Sequence, residues 1–292
     1  MTGSSAVVGE SGRPTFPSAL AAWLTVLRCP LCDDGLHAQG RTLRCPRGHS
    51  ADLARAGYVS LLGGTPARSG DDDDMARARD RFLATGAYEP LRQKLAQRAA
   101  ACAPSRVLDV GGGTGWYLAG VLDAVPGALG LTTDTSARAL RFAARAHERA
   151  AAAAWDVFRP FPLADGSVDL LLDVFAPRNP AEFARVLGDR GTLLVVRPAP
   201  DHLAQLRAAV PTMVAPDPRK EERLHEALDP LFEQIETVPL RWSFTAPPAA
   251  ARDLVAMTPS ARHVSPEQLG AVEQHGQLEV TASMVLTQLR TR

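Results

Sequence analysis

Four residues between positions 29 and 49 have the types and spacing of a metal site. They fall in Cys29-Pro30-Leu31-Cys32 and, after twelve intervening residues, in Cys45-Pro46-Arg47-Gly48-His49. Two thiolates separated by two residues can hold one Zn²⁺ from a single knuckle, and a second knuckle ending in histidine completes a tetrahedral set. The expected ligands are therefore Cys29, Cys32, Cys45 and His49. His37 is the rival fourth ligand, disfavoured because it lies inside the connection rather than at a knuckle. A redox pair of Cys29 and Cys32 is the competing reading, and it leaves Cys45 and His49 without a role. So short a segment has few large apolar residues, so metal would supply much of its folding energy. Three of the four cysteines cluster here, which points to metal binding in a reducing compartment rather than to a disulfide scaffold. Cys102 stands apart and reads as a small buried hydrophobe.

A second constellation is Val107-Leu108-Asp109-Val110-Gly111-Gly112-Gly113-Thr114-Gly115. It places a carboxylate at the end of a buried strand and a glycine turn before a helix, where backbone must approach a ligand closely. The dinucleotide fingerprint G-x-G-x-x-G is not met from Gly111 or Gly113, since Trp116 and Leu118 occupy the third glycine's place. A different nucleotide-like cofactor is favoured. The pattern resembles motif I of class I methyltransferases, in which the loop cradles the methionine part of S-adenosylmethionine. That makes Asp109, Gly111, Gly113, Thr114 and Gly115 candidate cofactor contacts. Asp134, ending a second strand in Gly130-Leu131-Thr132-Thr133-Asp134, is placed to accept hydrogen bonds from ribose hydroxyls. Asp156, after an alanine run and Trp155, has the position of the acid that contacts the adenine amino group in such enzymes. Each aspartate alone could be a solvated loop residue, and the glycines an ordinary turn. Three acids after three successive strand ends are a stronger signal.

Those acids need a parallel sheet to bring them to one edge, and the chain beyond Pro104 alternates short apolar runs with helical stretches accordingly. Strands are expected at Arg106–Val110, Ala128–Thr132, Val168–Val174, Thr192–Val196, Val238–Phe244 and Leu278–Leu286. Helices are expected at Trp116–Ala124, from Ser136 to about Ala150, and at Ala181–Leu187, Lys220–Leu228 and Ala249–Met257. The last two strands suit an antiparallel hairpin that closes the sheet. Upstream, 1–18 is rich in Ser, Gly and Pro and is expected to be disordered, 19–62 forms the zinc-binding module, and 63–74, ending in four aspartates, is a linker. Residues 75–292 then form the large domain, opening with helical stretches from Met75 and from Pro90 to about Ala101.

The composition of the 292 residues, 46% hydrophobic and 22% charged, supports one large domain plus a small appendage. No stretch approaches the roughly 18 apolar residues of a membrane span, and the N-terminus lacks a secretory pattern, so the cytoplasm is expected. Net charge is zero, which argues against non-specific coating of nucleic acid but allows local basic faces. Arg28, Arg41, Arg44, Arg47 and Arg55 accompany the zinc module, and Arg77, Arg79, Arg81, Arg92, Lys94 and Arg98 follow the acidic run. Phosphate contact and plain solvated faces are both open readings for them.

From about Arg28 to Leu206, and more loosely to the end, the chain resembles the 23S ribosomal RNA guanine-N1 methyltransferase family. The resemblance rests on the knuckles, Gly57-Tyr58-Val59-Ser60-Leu61-Leu62, Gly70-Asp71 through Met75, Ala78-Arg79, Phe82-Leu83, Gly86-Ala87-Tyr88 and Pro90-Leu91. It extends to Phe175-Ala176-Pro177, Glu182 through Leu187, and Arg197-Pro198-Ala199-Pro200-Asp201-His202-Leu203. It implies an α/β class I (Rossmann-like) domain behind a small zinc module that recognises an RNA hairpin. It also implies S-adenosylmethionine and Zn²⁺ as cofactors, Tyr88 and His202 as cofactor contacts, and a homodimer. In its tylosin-type branch, methylation protects against macrolides. The sequence departs from the family pattern at Ala87, usually His, and at Gly112 and Thr114, where Cys and Glu are common.

Transfer to guanine N1 requires alignment of the nitrogen with the methyl group and loss of the N1 proton. Asp173 is a candidate base that could equally support its strand, so the catalytic base stays unassigned. A small-molecule methyltransferase, an RNA-binding zinc protein without catalysis and an NAD-dependent oxidoreductase are the alternatives. The position of the motifs leads us to expect that a chain beginning near Asp74 keeps cofactor binding and loses RNA selection.

Overall fold

The expected alternation of strands and helices is realised in a computed structural model, which describes residues 16–63, 71–214, 226–274 and 276–292. The described residues open with α1 (Ser18–Trp23), then three short strands, β1 (His37–Gln39), β2 (Thr42–Arg44) and β3 (Ser50–Asp52), which form an antiparallel sheet. β4 (Val59–Ser60), α2 (Asp73–Ala84) and α3 (Glu89–Cys102) follow. The alternating part comprises β5 (Arg106–Val110), α4 (Trp116–Ala124), β6 (Leu129–Asp134), α5 (Ala137–Ala143), β7 (Ala150–Ala154), β8 (Leu170–Val174), α6 (Pro180–Leu187) and β9 (Thr192–Pro198). The chain ends with α7 (Ala204–Ala209), β10 (Phe232–Ala246), α8 (Pro248–Ala256), a 3₁₀ turn (Pro259–His263), α9 (Pro266–Gln274) and β11 (Leu278–Thr291).

Eight strands make one sheet in the order β10-β11-β9-β8-β5-β6-β7-β4. Strands β5 to β9 run parallel, and the long β10–β11 hairpin closes the sheet antiparallel against β9. Chain order reverses at β5, which lies between β6 and β8, and such a switch point leaves a crevice at the carboxyl ends of the strands. Successive strand residues face opposite sides. Val107 packs with Leu91, Leu95, Leu118 and Leu122 on one face, and Leu108 with Trp23, Leu27, Phe183 and Val186 on the other.

The segment that carries the two knuckles is built into this sheet. Val59 and Ser60 pair in parallel with Ala153 and Ala154, adding β4 as the edge strand. Trp23 is fully buried under the sheet and its Nε1 donates to the Gly130 carbonyl over 3.0 Å. Leu27 is bridged to Leu163.

Several boundaries differ from the sequence expectation. Of the segment expected to be disordered, 1–15 lies outside the described residues, and Ser18 already begins α1. Of the expected linker, 64–70 lies outside them, whereas Asp72 to Asp74 start a helix. The Asp72 carboxylate accepts from the N–H groups of Asp74 and Met75, and Asp73 and Asp74 fill the first turn. Acids there satisfy orphan donors and complement the helix dipole, which is why the run reads as a cap once its neighbours are seen. The helix after Ser136 ends at Ala143, not near Ala150, because Ala150–Ala154 is a strand. Of the helix expected at Lys220–Leu228, 220–225 lies outside the described residues and 226–228 is helical. Cys102 is half-buried, with the Gln288 amide 3.9 Å from its sulfur, rather than a core hydrophobe.

Candidate functional site

The two knuckles converge. One ligand atom from each of Cys29, Cys32, Cys45 and His49 lies within 4.8 Å of all the others. The Cys32 and Cys45 sulfurs are 3.6 Å apart, and His49 Nδ1 lies 3.5 Å from the Cys29 sulfur and 3.4 Å from that of Cys45. Bonds of about 2.3 Å to sulfur and 2.0 Å to nitrogen would set the edges of a zinc tetrahedron at roughly 3.5–3.8 Å. The donor set therefore fits Zn²⁺. Cys29 and Cys45 are buried and backed by Leu36, Leu43 and Leu53. His37 is exposed on β1 and outside the cluster.

The second site is a cavity of about 800 Å³ at the carboxyl ends of the parallel strands. Of the residues singled out in the sequence, Tyr88, Gly111, Thr114, Asp134, Asp156 and His202 line it, whereas Asp109, Gly113 and Gly115 lie behind that lining. The glycine loop crosses from β5 to α4. At Gly111, with φ of +59°, an added Cβ would stand 2.8 Å from Ala176 Cβ, so only glycine lets the loop meet the residues after β8. At Gly112 a Cβ would come 2.1 Å from Asp109 Oδ2. Glycine here lets the Asp109 carboxyl tuck beneath the loop, and a cysteine at this position would have to displace it.

Asp109 is 1% exposed, its carboxyl facing the Thr132 hydroxyl. Burial, reinforced by Asp134 and Asp173, pushes its pKa up to about 8. Asp134 is held as expected at the end of β6. Its Oδ2 accepts from the Gly113 N–H at 2.9 Å and its Oδ1 from the Ser136 N–H at 2.8 Å, while burial raises its pKa. Asp156 follows β7, where its Oδ1 accepts from the Phe158 N–H at 3.0 Å. Register places Asp134 level with Ala154, so both acids meet the cavity along one edge.

His202 and Tyr88 meet as a pair. The Ser283 N–H donates to His202 Nδ1 at 3.2 Å, which leaves Nε2 carrying the proton 3.4 Å from the Tyr88 hydroxyl. Burial, aided by the Arg207 charge, holds the His202 pKa down to about 4. A neutral imidazole so oriented donates toward Tyr88 and is unsuited to take a proton from a substrate at neutral pH. Asp173 is fully buried and ion-paired with Arg178, which lines the cavity.

Two cavity residues escaped sequence reasoning. Asp71, taken as linker, and Arg79, taken with the basic faces, form an ion pair, and Arg79 also donates to the Met257 carbonyl at 2.8 Å. Burial raises the Asp71 pKa despite this partner. The nearby Arg81, Arg92 and Arg98 pair with Asp253, Asp123 and Glu236 respectively, cross-linking helices and sheet. The hints in the sequence were the Gly70-Asp71 and Ala78-Arg79 matches to the family pattern.

Comparison with known proteins decides the family. The chain is 45% identical over 270 residues to the 23S rRNA (guanine(748)-N(1))-methyltransferase of Streptomyces fradiae, covering 90% of this chain and 96% of the relative. The chain belongs to the 23S rRNA (guanine-N1)-methyltransferase family. A candidate 23S rRNA (guanine-N(1)-)-methyltransferase from Micromonospora griseorubida is 44% identical over 265 residues, covering 84% of this chain and 90% of that one. Another from Bacillus subtilis (strain 168) is 30% identical over 273 residues, covering 89% and 95%. The zinc-ribbon family described as RlmA, N-terminal matches residues 27–69, the segment that carries the four converging ligand atoms. In this methyltransferase the ribbon segment lends β4 to the sheet that bears the cavity, and just beyond it the Leu61 N–H donates to the Ala154 carbonyl over 3.2 Å.

Proposed function

We propose that this chain transfers the methyl group of S-adenosylmethionine to N1 of a guanine in a 23S rRNA hairpin. The observation that carries the reading is the cavity itself. In a chain of this family, the glycine loop, Asp134 and Asp156 stand side by side along its edge in the order that a methionine, ribose and adenine require. When bound, the cofactor supplies a methyl carbon made electrophilic by its sulfonium. The protein's residues bind and orient. Asp134 holds the ribose hydroxyls, Asp156 the adenine amino group, Gly111 and Thr114 the methionine end with Gly113 and Gly115 shaping the loop behind them, and the Tyr88–His202 pair the wall beside it. Asp109 supports the loop from beneath. Cys29, Cys32, Cys45 and His49 hold one zinc ion, which fixes a ribbon whose exposed Arg44, Arg47 and Arg55 contact RNA phosphates.

Among the described residues no helix is long and apolar enough to cross a membrane, in keeping with an enzyme that meets ribosomal RNA in the cytoplasm. The resemblance supports a homodimer and a role in macrolide resistance of the tylosin type. Incubation of the zinc-loaded chain with methyl-labelled cofactor and a 23S rRNA hairpin, followed by mass mapping, tests the assignment. One N1-methylguanine is expected. Label on another base, on another guanine atom or on no RNA overturns it.

A further inference from the structure

We propose that Phe175 is the platform on which the target guanine stacks while its N1 faces the methyl donor, an assignment that rests on the function proposed above. Phe175 follows β8 with φ of +59°, a backbone conformation that glycine adopts freely and a bulky aromatic rarely does. Its N–H donates to the Val196 carbonyl over 3.1 Å, and the next residue, Ala176, is pressed against Gly111. The result is a large apolar ring left 41% exposed on the cavity wall.

Structure behind the ring explains why it stays there. Its centroid lies 6.2 Å from that of His202, the two planes inclined by only 30°. His202 meets Tyr88 edge-on at 6.3 Å, and Tyr88 meets Trp242 and Phe244 at 5.9 and 6.1 Å. A chain of rings thus begins in the core and ends at Phe175, the member that remains open to the cavity. Of the five exposed large hydrophobic side chains among the described residues, Phe158, Phe175 and Val214 all line this cavity. An apolar rim gathered at one mouth marks a binding surface.

Strand order separates what this ring would touch from the cofactor. The acids assigned to the cofactor stand on β5 and β6 and after β7, whereas Phe175 follows β8, on the other side of the switch point. Phe175 thus stands clear of the acids and, through Ala176 and the His202 ring, beside Gly111 and the methionine end, where the acceptor must meet the methyl group. For a base inside an RNA hairpin to present N1 it must leave its stack, and an aromatic face compensates the lost stacking. Arg178, Arg207 and Arg262 line the same cavity and suit an anionic strand.

The test uses the full-length, zinc-loaded chain and the variants Phe175→Gly, Phe175→Tyr and Phe175→Leu. Methylation of the hairpin, calorimetric affinity for S-adenosylhomocysteine and melting temperature are measured for each. Because glycine accepts a positive φ, F175G is expected to melt at or above the wild-type temperature and to bind S-adenosylhomocysteine within about twofold of wild type. Its kcat/KM for RNA is expected to fall about tenfold to a hundredfold, with F175Y close to wild type and F175L low. An F175G rate equal to wild type, or F175L as active as F175Y, removes the stacking role. Cofactor affinity falling in step with activity moves Phe175 to the cofactor site. An inactive wild type overturns the proposed function itself, whereas an active wild type with an equally active F175G overturns only the platform.

Discussion

Asp71, Asp109 and Asp134 are three carboxyl groups held out of water along one side of the cavity proposed to take a cofactor that carries positive charge. Burial raises the pKa of each, that of Asp109 to about 8. The folded chain therefore binds protons more tightly than the unfolded chain, and stability falls as pH climbs from the ordinary carboxylate range toward 8. Without cofactor the protein is expected to melt at a lower temperature at pH 8 than at pH 6. In Asp109→Asn, which keeps the shape and never ionises, that slope should flatten. Parallel melting curves for the two proteins across this range would show that Asp109 does not carry the effect. Asp134 and Asp156 could be placed from spacing alone, because a strand end followed by a loop fixes where a side chain goes. Asp71 could not. It belongs to a run of four aspartates with a linker's composition, and what gives it a role is Arg79, tied in turn to Met257 far along the chain.

Among the elements, those read correctly carry their own punctuation. β5 and α4 matched to the residue, because an apolar run, a glycine turn and a second apolar stretch follow one another. β7 carries none. Alanine is the strongest helix former, yet all five residues of Ala150–Ala154 are buried in a strand. Ala151 and Ala153 lie under Trp23, while Ala152 and Ala154 lie under Leu140 and Ala143. With layers pressing on both faces, only small side chains fit, and that requirement is invisible locally. The strands β1 to β3 were likewise unread, since three-residue strands leave no period to detect. They hang from the metal knuckles, and one zinc per chain is expected. Cys45→Ser and His49→Ala should lose it, while His37→Ala should keep it. Elemental analysis decides, and stoichiometric zinc in Cys45→Ser would break the ligand set.

For the molecule as a whole, the sequence pointed to a ribbon separable from the catalytic part, and the structure argues against a clean cut. Leu20, Trp23, Leu27 and Val59 are fully buried, and all four pack against side chains beyond residue 100. At about 1.5–3 kcal/mol for each large side chain, their removal costs on the order of 10 kcal/mol, comparable with the net stability of a typical domain. A chain beginning near Asp74 is thus expected to be insoluble or to lose its cooperative melt, rather than to retain cofactor binding. A soluble, cooperatively melting truncation with wild-type affinity for S-adenosylhomocysteine would show that this seam is dispensable.

That seam has a consequence for how such enzymes diversify. Arg159 donates to the Leu62 carbonyl at the end of the ribbon and lies 4.5 Å over the ring of Trp155, the neighbour of Asp156. The ribbon, proposed to read RNA, and the edge of the cavity, proposed to seat the nucleoside, are thus stitched by the same few side chains. A new ribbon cannot be dropped in as a cassette. It must bring an edge strand in register with the alanines of β7 and an indole that reaches Gly130. Lineages that retarget the ribosome must therefore recut both sides of the join together, or else vary only the exposed tips of the ribbon and leave its root unchanged.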